Sequence, residues 1–216
     1  MILQVLIVTV FIVVFSVNLY ADRNRKEKLK MLTKPLLVPL IIFFYLISAV
    51  YINWFIVCAL FFGFLGDVSL LWGSKKIFFA IGLFAFLVGH LFYTLVFLQS
   101  IQYFGVVPIW FFIVLIPYIL YGCAILRILR PNLKEMIVPV VIYMCVILMM
   151  SFTSICRIWN GFTLQFILPF IGSLSFTLSD SVLAYNSFNV PFKNYEMLIM
   201  FTYILAQVLI VAGFLY

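Results

Sequence analysis

Apolar residues run through this chain in long blocks, separated by short polar clusters near residues 21–34, 73–76, 100–105, 127–134, 157–162 and 186–195. The blocks fall near 2–20, 35–53, 54–72, 77–99, 106–127, 135–156, 163–185 and 196–216. Each is close to the roughly 20 residues a helix needs to cross a hydrocarbon core. Backbone groups in lipid must be satisfied within their own segment, so continuous apolar blocks of this length predict helices. A membrane barrel would show short alternating strands instead, and none is present. The pattern therefore predicts an all-α, polytopic membrane bundle of eight transmembrane helices, forming a single domain over 1–216. The division between the second and third blocks rests only on Tyr51-Ile52-Asn53-Trp54. The first block, Met1 to Tyr20, has no basic region before it and no small-residue cleavage site after it, so it is expected to remain as a helix.

Composition agrees with this picture. The chain is 68% hydrophobic and 9% charged, with a mean hydropathy of +1.31, too little polar surface to cover a soluble core. The net charge of +7 reads as a topology signal. With the N-terminus outside, Arg23, Arg25, Lys26, Lys28, Lys30 and Lys34 lie in a cytoplasmic loop. Lys75, Lys76, Arg127, Arg130, Lys134 and Lys193 also fall inside, and of the 13 basic residues only Arg157 falls outside. Both termini are then non-cytoplasmic. Trp54, Trp110 and Trp159 lie near the outer interface and Trp72 near the inner one. No nucleic-acid partner is needed to explain the charge; the expected partner is the bilayer itself. Cys58, Cys123, Cys145 and Cys156 sit in apolar blocks without metal or disulfide spacing, and read as packing residues.

The two halves of the sequence resemble each other. KPLLVPLII from Lys34 matches KEMIVPVVI from Lys134, and GFLGDVSLLW around Asp67 matches SFTLSDSVLAY around Asp180. The helix after each Asp carries a polar residue, His90 in one half and Gln207 in the other. Pseudo-repeats of about 1–100 and 101–216, each with an even number of helices, run in the same direction through the membrane, as two parallel four-helix units.

The six acidic residues sort by position. Asp22, Glu27, Glu135 and Glu196 stand in loops or at helix ends, where solvated surface charge accounts for them. Asp67 and Asp180 stand inside apolar helices, where an ionisable group is costly, faces the bundle interior and marks function. Both lie roughly 9–12 Å in from the cytoplasmic ends of their helices. Gly63, Ser173, Thr177 and Ala184 give their faces a small, hydroxylic character suited to helix contacts and wet cavities. Two carboxyls facing one low-dielectric pocket would hold one proton between them, giving a general acid and a general base for acid-assisted addition of water. Proton-coupled transport uses the same residue types, and a purely structural role is the third reading. Asp67 and Asp180 are thus the candidate catalytic residues. Lys34, His90, Tyr93, Asn186, Tyr203 and Gln207 are candidate substrate-binding residues. One His and two intramembrane Asp are a thin supply for zinc, and GxSxG, P-loop and GxGxxG motifs are absent. No metal or cofactor is expected.

The strings TKPLLVP, FLGDVSLL, GLFAFLVGHLFY, LSDSVLAYN and TYILAQVLI occur in that order between about Thr33 and Ile210. Together they resemble the YhhN family of membrane lysoplasmalogenases. The resemblance implies hydrolysis of the vinyl ether bond of lysoplasmalogens (1-alkenyl-glycerophosphocholine or -ethanolamine) to a fatty aldehyde and a glycerophospho-alcohol. It also implies residence in a bacterial cell membrane, or in the endoplasmic reticulum of a eukaryote. Vinyl ether hydrolysis needs a proton donor, a positioned water and nearby negative charge, which Asp67 and Asp180 can supply. The FLGD string is also similar to one motif of presenilin-like intramembrane proteases, but their Tyr-Asp partner and Pro-Ala-Leu motif are absent. A transporter built on a four-plus-four repeat is the stronger rival.

Overall fold

The structure, a computed structural model, describes residues 2–73, 75–101 and 107–215, and these form helices with no strand among them. Eight α-helices follow one another: α1 (Ile2–Arg23), α2 (Glu27–Ser48), α3 (Trp54–Leu70), α4 (Lys76–Ser100), α5 (Leu115–Leu133), α6 (Ile137–Cys156), α7 (Leu164–Phe188) and α8 (Tyr195–Ala212). Six helical stretches are long and apolar enough to cross a membrane. They are α1, α2, α4, α7, α8 and the continuous run Ile109–Asn160, which contains α5 and α6; α3, at 17 residues, is a shorter apolar helix. The chain is an integral, multi-pass membrane protein.

The narrow division between the second and third blocks is a real boundary. Asn53 caps α3 by accepting from the Phe55 N–H at 3.0 Å, and its own N–H donates to Tyr45 Oη at 3.0 Å. An Asn side chain at this position satisfies an amide that the helix itself leaves unpaired. The fifth block is displaced from its expected range of 106–127. Val106 lies outside the described residues, Ile109–Val114 form a 3₁₀ run after Pro108, and α5 continues past Arg127 and Arg130 to Leu133. Both arginines are exposed on the helix surface, where long basic side chains reach polar surroundings without ending the helix.

Two tight hairpins, α3 with α4 and α7 with α8, make the closest helix contacts, and α2 and α6 pack against them. Small residues set these distances. A Cβ on Gly66 would lie 2.7 Å from the Phe86 ring, and one on Gly89 would lie 3.2 Å from the Ala59 carbonyl. The core gathers around Tyr45, Tyr93, Phe97, Phe176 and Ile204. By contrast α1 exposes Val5, Leu6, Ile12 and Val13, a surface suited to lipid tails.

The chain ends of the helices separate into two groups. Lys30 at the start of α2 meets Glu196 at the start of α8, and Phe79 of α4 meets Phe188 at the end of α7; this is the basic end. At the other end Trp110 and Trp159 stack edge-on at 6.0 Å. Arg157, expected in a loop at that end, is instead buried, with its guanidinium over the Phe214 ring at 4.5 Å and Nη2 donating to the Gln165 carbonyl at 2.8 Å. Aromatic faces attract the cation and offset part of its desolvation.

Candidate active site

Asp67 lies on the inward face of α3 and is 2% exposed. Lys34 of α2 reaches it, Nζ to Oδ1 at 3.4 Å. The Tyr203 phenol of α8 stands beside the same carboxyl, while Oδ2 has no hydrogen-bond partner. Behind Tyr203 runs an oriented chain of hydrogen bonds. The Tyr93 hydroxyl donates to Gln207 Oε1, and Gln207 Nε2 donates to Tyr203 Oη at 3.3 Å. Because Tyr203 accepts from Gln207, its own proton is available to Asp67. Gly63, one turn before Asp67, leaves the room for this: a Cβ there would lie 2.9 Å from both Gln207 Nε2 and Tyr203 Oη.

Asp180 lies on α7 with a different pair of donors. The Tyr143 hydroxyl of α6 donates to Oδ2, and His90 Nε2 of α4 lies 2.9 Å from the same oxygen. His90 Nε2 is also 3.1 Å from Tyr143 Oη, so the three groups form a closed triangle. The imidazole is fixed edge-on by Phe176 at 4.9 Å and by Tyr143 at 5.6 Å. Each carboxyl is therefore held from two helices other than its own, and the pairing is crosswise: α8 serves the Asp of α3, and α4 serves the Asp of α7. The Asp180 triangle is closed, whereas the Asp67 network leaves Oδ2 without a partner.

The surroundings of the two acids differ. Asp180 and Tyr143 line an apolar cavity of about 490 Å³ between the basic-end halves of α4, α6 and α7. Leu83, Leu87, Ile142 and Leu183 are among its walls, and exposed Phe84, Val138 and Ile142 place its mouth on the lipid-facing surface. A second, smaller cavity of about 40 Å³ approaches Asp180 from the side of α5. Asp67 lines neither of these cavities, and its charged neighbour is Lys34.

Of the residues singled out in the sequence, Asp67, Asp180, Lys34, His90, Tyr93, Tyr203 and Gln207 meet in this double network. Tyr93, Tyr203 and Gln207 act on Asp67 from within the core. Asn186 does not join them. Its Nδ2 donates to the Val182 carbonyl at 2.7 Å and its Oδ1 accepts from the Phe192 N–H at 3.1 Å, so it shapes the α7–α8 turn. Two features were not foreseen. Tyr143 was not singled out, although it is the one hydroxyl in the long apolar run from Ile137 to Met150. Asp22, assigned to solvated surface, is 6% exposed and lies 3.8 Å from Lys30, which also binds Glu196 at 2.7 Å. Packing of α2 and α8 over the end of α1 covers it. Among the described residues no group of three His, Cys, Asp or Glu is arranged to hold a metal ion.

No solved structure matches this chain. Human lysoplasmalogenase TMEM86B is similar, 31% identical over 145 residues, which is 67% of this chain and 56% of the human protein. The chain thus spans little more than half the length of that curated relative. The family model described as the YhhN family matches residues 29–214, a stretch that includes Lys34, both aspartates and every side chain that holds them. The chain belongs to the YhhN family.

Proposed function

We propose that this protein is a lysoplasmalogenase that hydrolyses the vinyl ether of 1-alkenyl-glycerophosphocholine or -ethanolamine by aspartate acid-base catalysis. The observation that carries the reading is the placement of Asp180, a hydrogen-bonded carboxyl at the inner end of an apolar cavity open to lipid. Hydrocarbon fits the cavity, and the first atoms beyond it meet an acid. In the proposed reaction Asp180, backed by His90 and Tyr143, delivers a proton to the outer carbon of the enol ether. The resulting oxocarbenium ion is stabilised by the Asp67 carboxylate, whose counter-cation is Lys34. Water adds to the cation and gives up its proton to the carboxylate pair, and the hemiacetal collapses to aldehyde and glycerophospho-alcohol. One water is consumed and the acid is regenerated. Positioned proton transfer and preorganised negative charge are the two effects required.

The reading also takes the bundle as eight crossing helices in two parallel repeats. Asp67 and His90 are 23 residues apart, and so are Asp180 and Tyr203. In that register His90 corresponds to Tyr203, where the sequence reading had paired it with Gln207. The buried positions Ala59, Leu60, Gly66, Gly89 and Thr94 then correspond to buried Gly172, Ser173, Ser179, Thr202 and Gln207. A pseudo-two-fold axis along the membrane normal accounts for the crosswise pairing, since it exchanges α4 with α8 and α3 with α7.

The deciding experiment incubates the purified protein with a lysoplasmalogen and, separately, with the saturated 1-alkyl ether analogue. Fatty aldehyde is expected from the first and none from the second. No aldehyde from a folded preparation would overturn the reading and bring proton-coupled transport forward. The reading further takes both termini as non-cytoplasmic, supported by the basic residues that cluster in the loops at one end of the bundle. A thiol probe at position 2 of an otherwise Cys-free variant is expected to react from outside the cell, and labelling only from the cytoplasm would reverse the topology.

A further inference from the structure

The basic end of the bundle holds a second, polar cavity of about 300 Å³, lined by Asp22, Arg25, Glu27, Asn194, Tyr195 and Glu196 among others. Asp22 is built into its wall. The residue is 6% exposed, and its Oδ1 has no hydrogen-bond partner; the nearest cation, Lys30, is at 3.8 Å. A buried carboxylate oxygen left without a donor is costly, which points to a ligand that supplies one. Among the described residues the acids form no group able to hold a metal ion, so an organic ammonium suits the site better than a divalent cation.

The charges along the seam of α2 and α8 follow an order. The cavity holds the carboxylates of Asp22, Glu27 and Glu196 together with the Arg25 guanidinium. Next come Lys30 and Lys34, one helical turn apart on the same face of α2. Innermost is Asp67, 3.4 Å from Lys34. Glu196 precedes Tyr203, the phenol beside Asp67, by seven residues, or about 10 Å along α8. A glycerophosphoethanolamine carries the complementary sequence over a similar reach: an ammonium, a phosphate, and then the ether that becomes cationic on protonation.

We propose that this cavity is the headgroup site of the enzyme, taking the ammonium of a zwitterionic lysolipid among Asp22, Glu27 and Glu196 and its phosphate against Lys30 and Lys34. The inference rests on the reading of Asp67 and Asp180 as the ether-cleaving pair. Tyr195 also lines the cavity, and an aromatic ring serves quaternary and primary ammonium alike. A headgroup of net negative charge would meet three carboxylates and bind poorly. The apolar cavity on the side of Asp180 and the charged one on the side of Asp67 then divide the substrate into its tail and its head.

Two measurements on the full-length protein test this. The first compares hydrolysis of 1-alkenyl-glycerophosphoethanolamine with that of 1-alkenylglycerol, which has the same ether and no headgroup, in the wild type, Asp22→Asn and Glu196→Gln. Glu196 is partly exposed at the end of the bundle, so it backs up Asp22→Asn should that variant fold poorly. Each variant is expected to raise KM for the zwitterionic lipid about tenfold, the loss of one charge-assisted contact, with kcat and the alkenylglycerol kinetics unchanged. Equal effects on both substrates, or no effect on either, would overturn the proposal. The second titrates soluble glycerophosphoethanolamine into the wild type and into Glu196→Gln by calorimetry, independently of any turnover. Saturable heat that is lost in Glu196→Gln supports the site even if no ether is cleaved, and absence of binding to the wild type removes it even if aldehyde is formed.

Discussion

Asp67→Asn and Asp180→Asn are each expected to lower aldehyde release by about 10²–10⁴-fold, the range typical of a general acid or base. The double variant is expected to lose little more than the weaker single one. Asn preserves the shape of the side chain and one acceptor oxygen, so Tyr143 and His90 keep a partner at position 180 and Lys34 keeps one at position 67. What is lost is the ability to carry and release a proton. Non-additivity follows if the two acids work on one proton, because either change disables the same unit. A monodisperse variant with wild-type thermal stability and near-normal aldehyde release would end the mechanism. Strictly additive losses would separate the two carboxyls into independent roles. Should the wild type prove inactive on lysoplasmalogens, the same variants in proteoliposomes would test whether the pair moves protons instead.

Much of this site was legible because carboxyls stand out in apolar blocks. Asp67 and Asp180 were found by their cost in lipid, and His90 and Gln207 as polar residues on the helix that follows each of them. The pairing between them was not legible. Helical periodicity says which residues share a face but not which other helix that face meets, so His90 gave no sign that it serves Asp180, from the other half of the chain, in preference to Asp67. Tyr143 was missed because a tyrosine in an apolar run looks the same whether it packs a core, faces lipid or binds a carboxylate. Asp22 was misjudged for the opposite reason. It follows an apolar block and precedes Arg23, Asn24 and Arg25, a context that reads as solvated until α2 and α8 close over it. Asn186 lies six residues beyond Asp180 on α7, nearly two helical turns on, where its amide closes a turn. The end of α5 was set too early because Arg127 reads as a boundary, whereas a long basic side chain reaches the interface from inside a helix.

Gly63→Ala is expected to reduce kcat by about 10²-fold, the effect of shifting a catalytic group by roughly 1 Å. It is also expected to lower stability, although alanine ordinarily favours a helix over glycine. The added methyl would stand 2.9 Å from both Gln207 Nε2 and Tyr203 Oη, closer than real Cβ contacts allow. Neither neighbour has room to retreat. Gln207 is fully buried and held by Tyr93, and the Tyr203 ring is wedged edge-on between Phe86 at 5.7 Å and Phe176 at 5.5 Å. Overpacking of this kind costs about 1–3 kcal/mol, and relief requires the phenol to leave Asp67. The companion variant Gly63→Ala with Tyr203→Phe removes the oxygen that the methyl would strike. It should recover much of the thermal stability and none of the activity, because Asp67 has then lost the phenol beside it. Full activity in Gly63→Ala, with stability at or above the wild type, would mean that the chain from Tyr93 through Gln207 to Tyr203 does not position Asp67, and that the glycine serves helix packing alone.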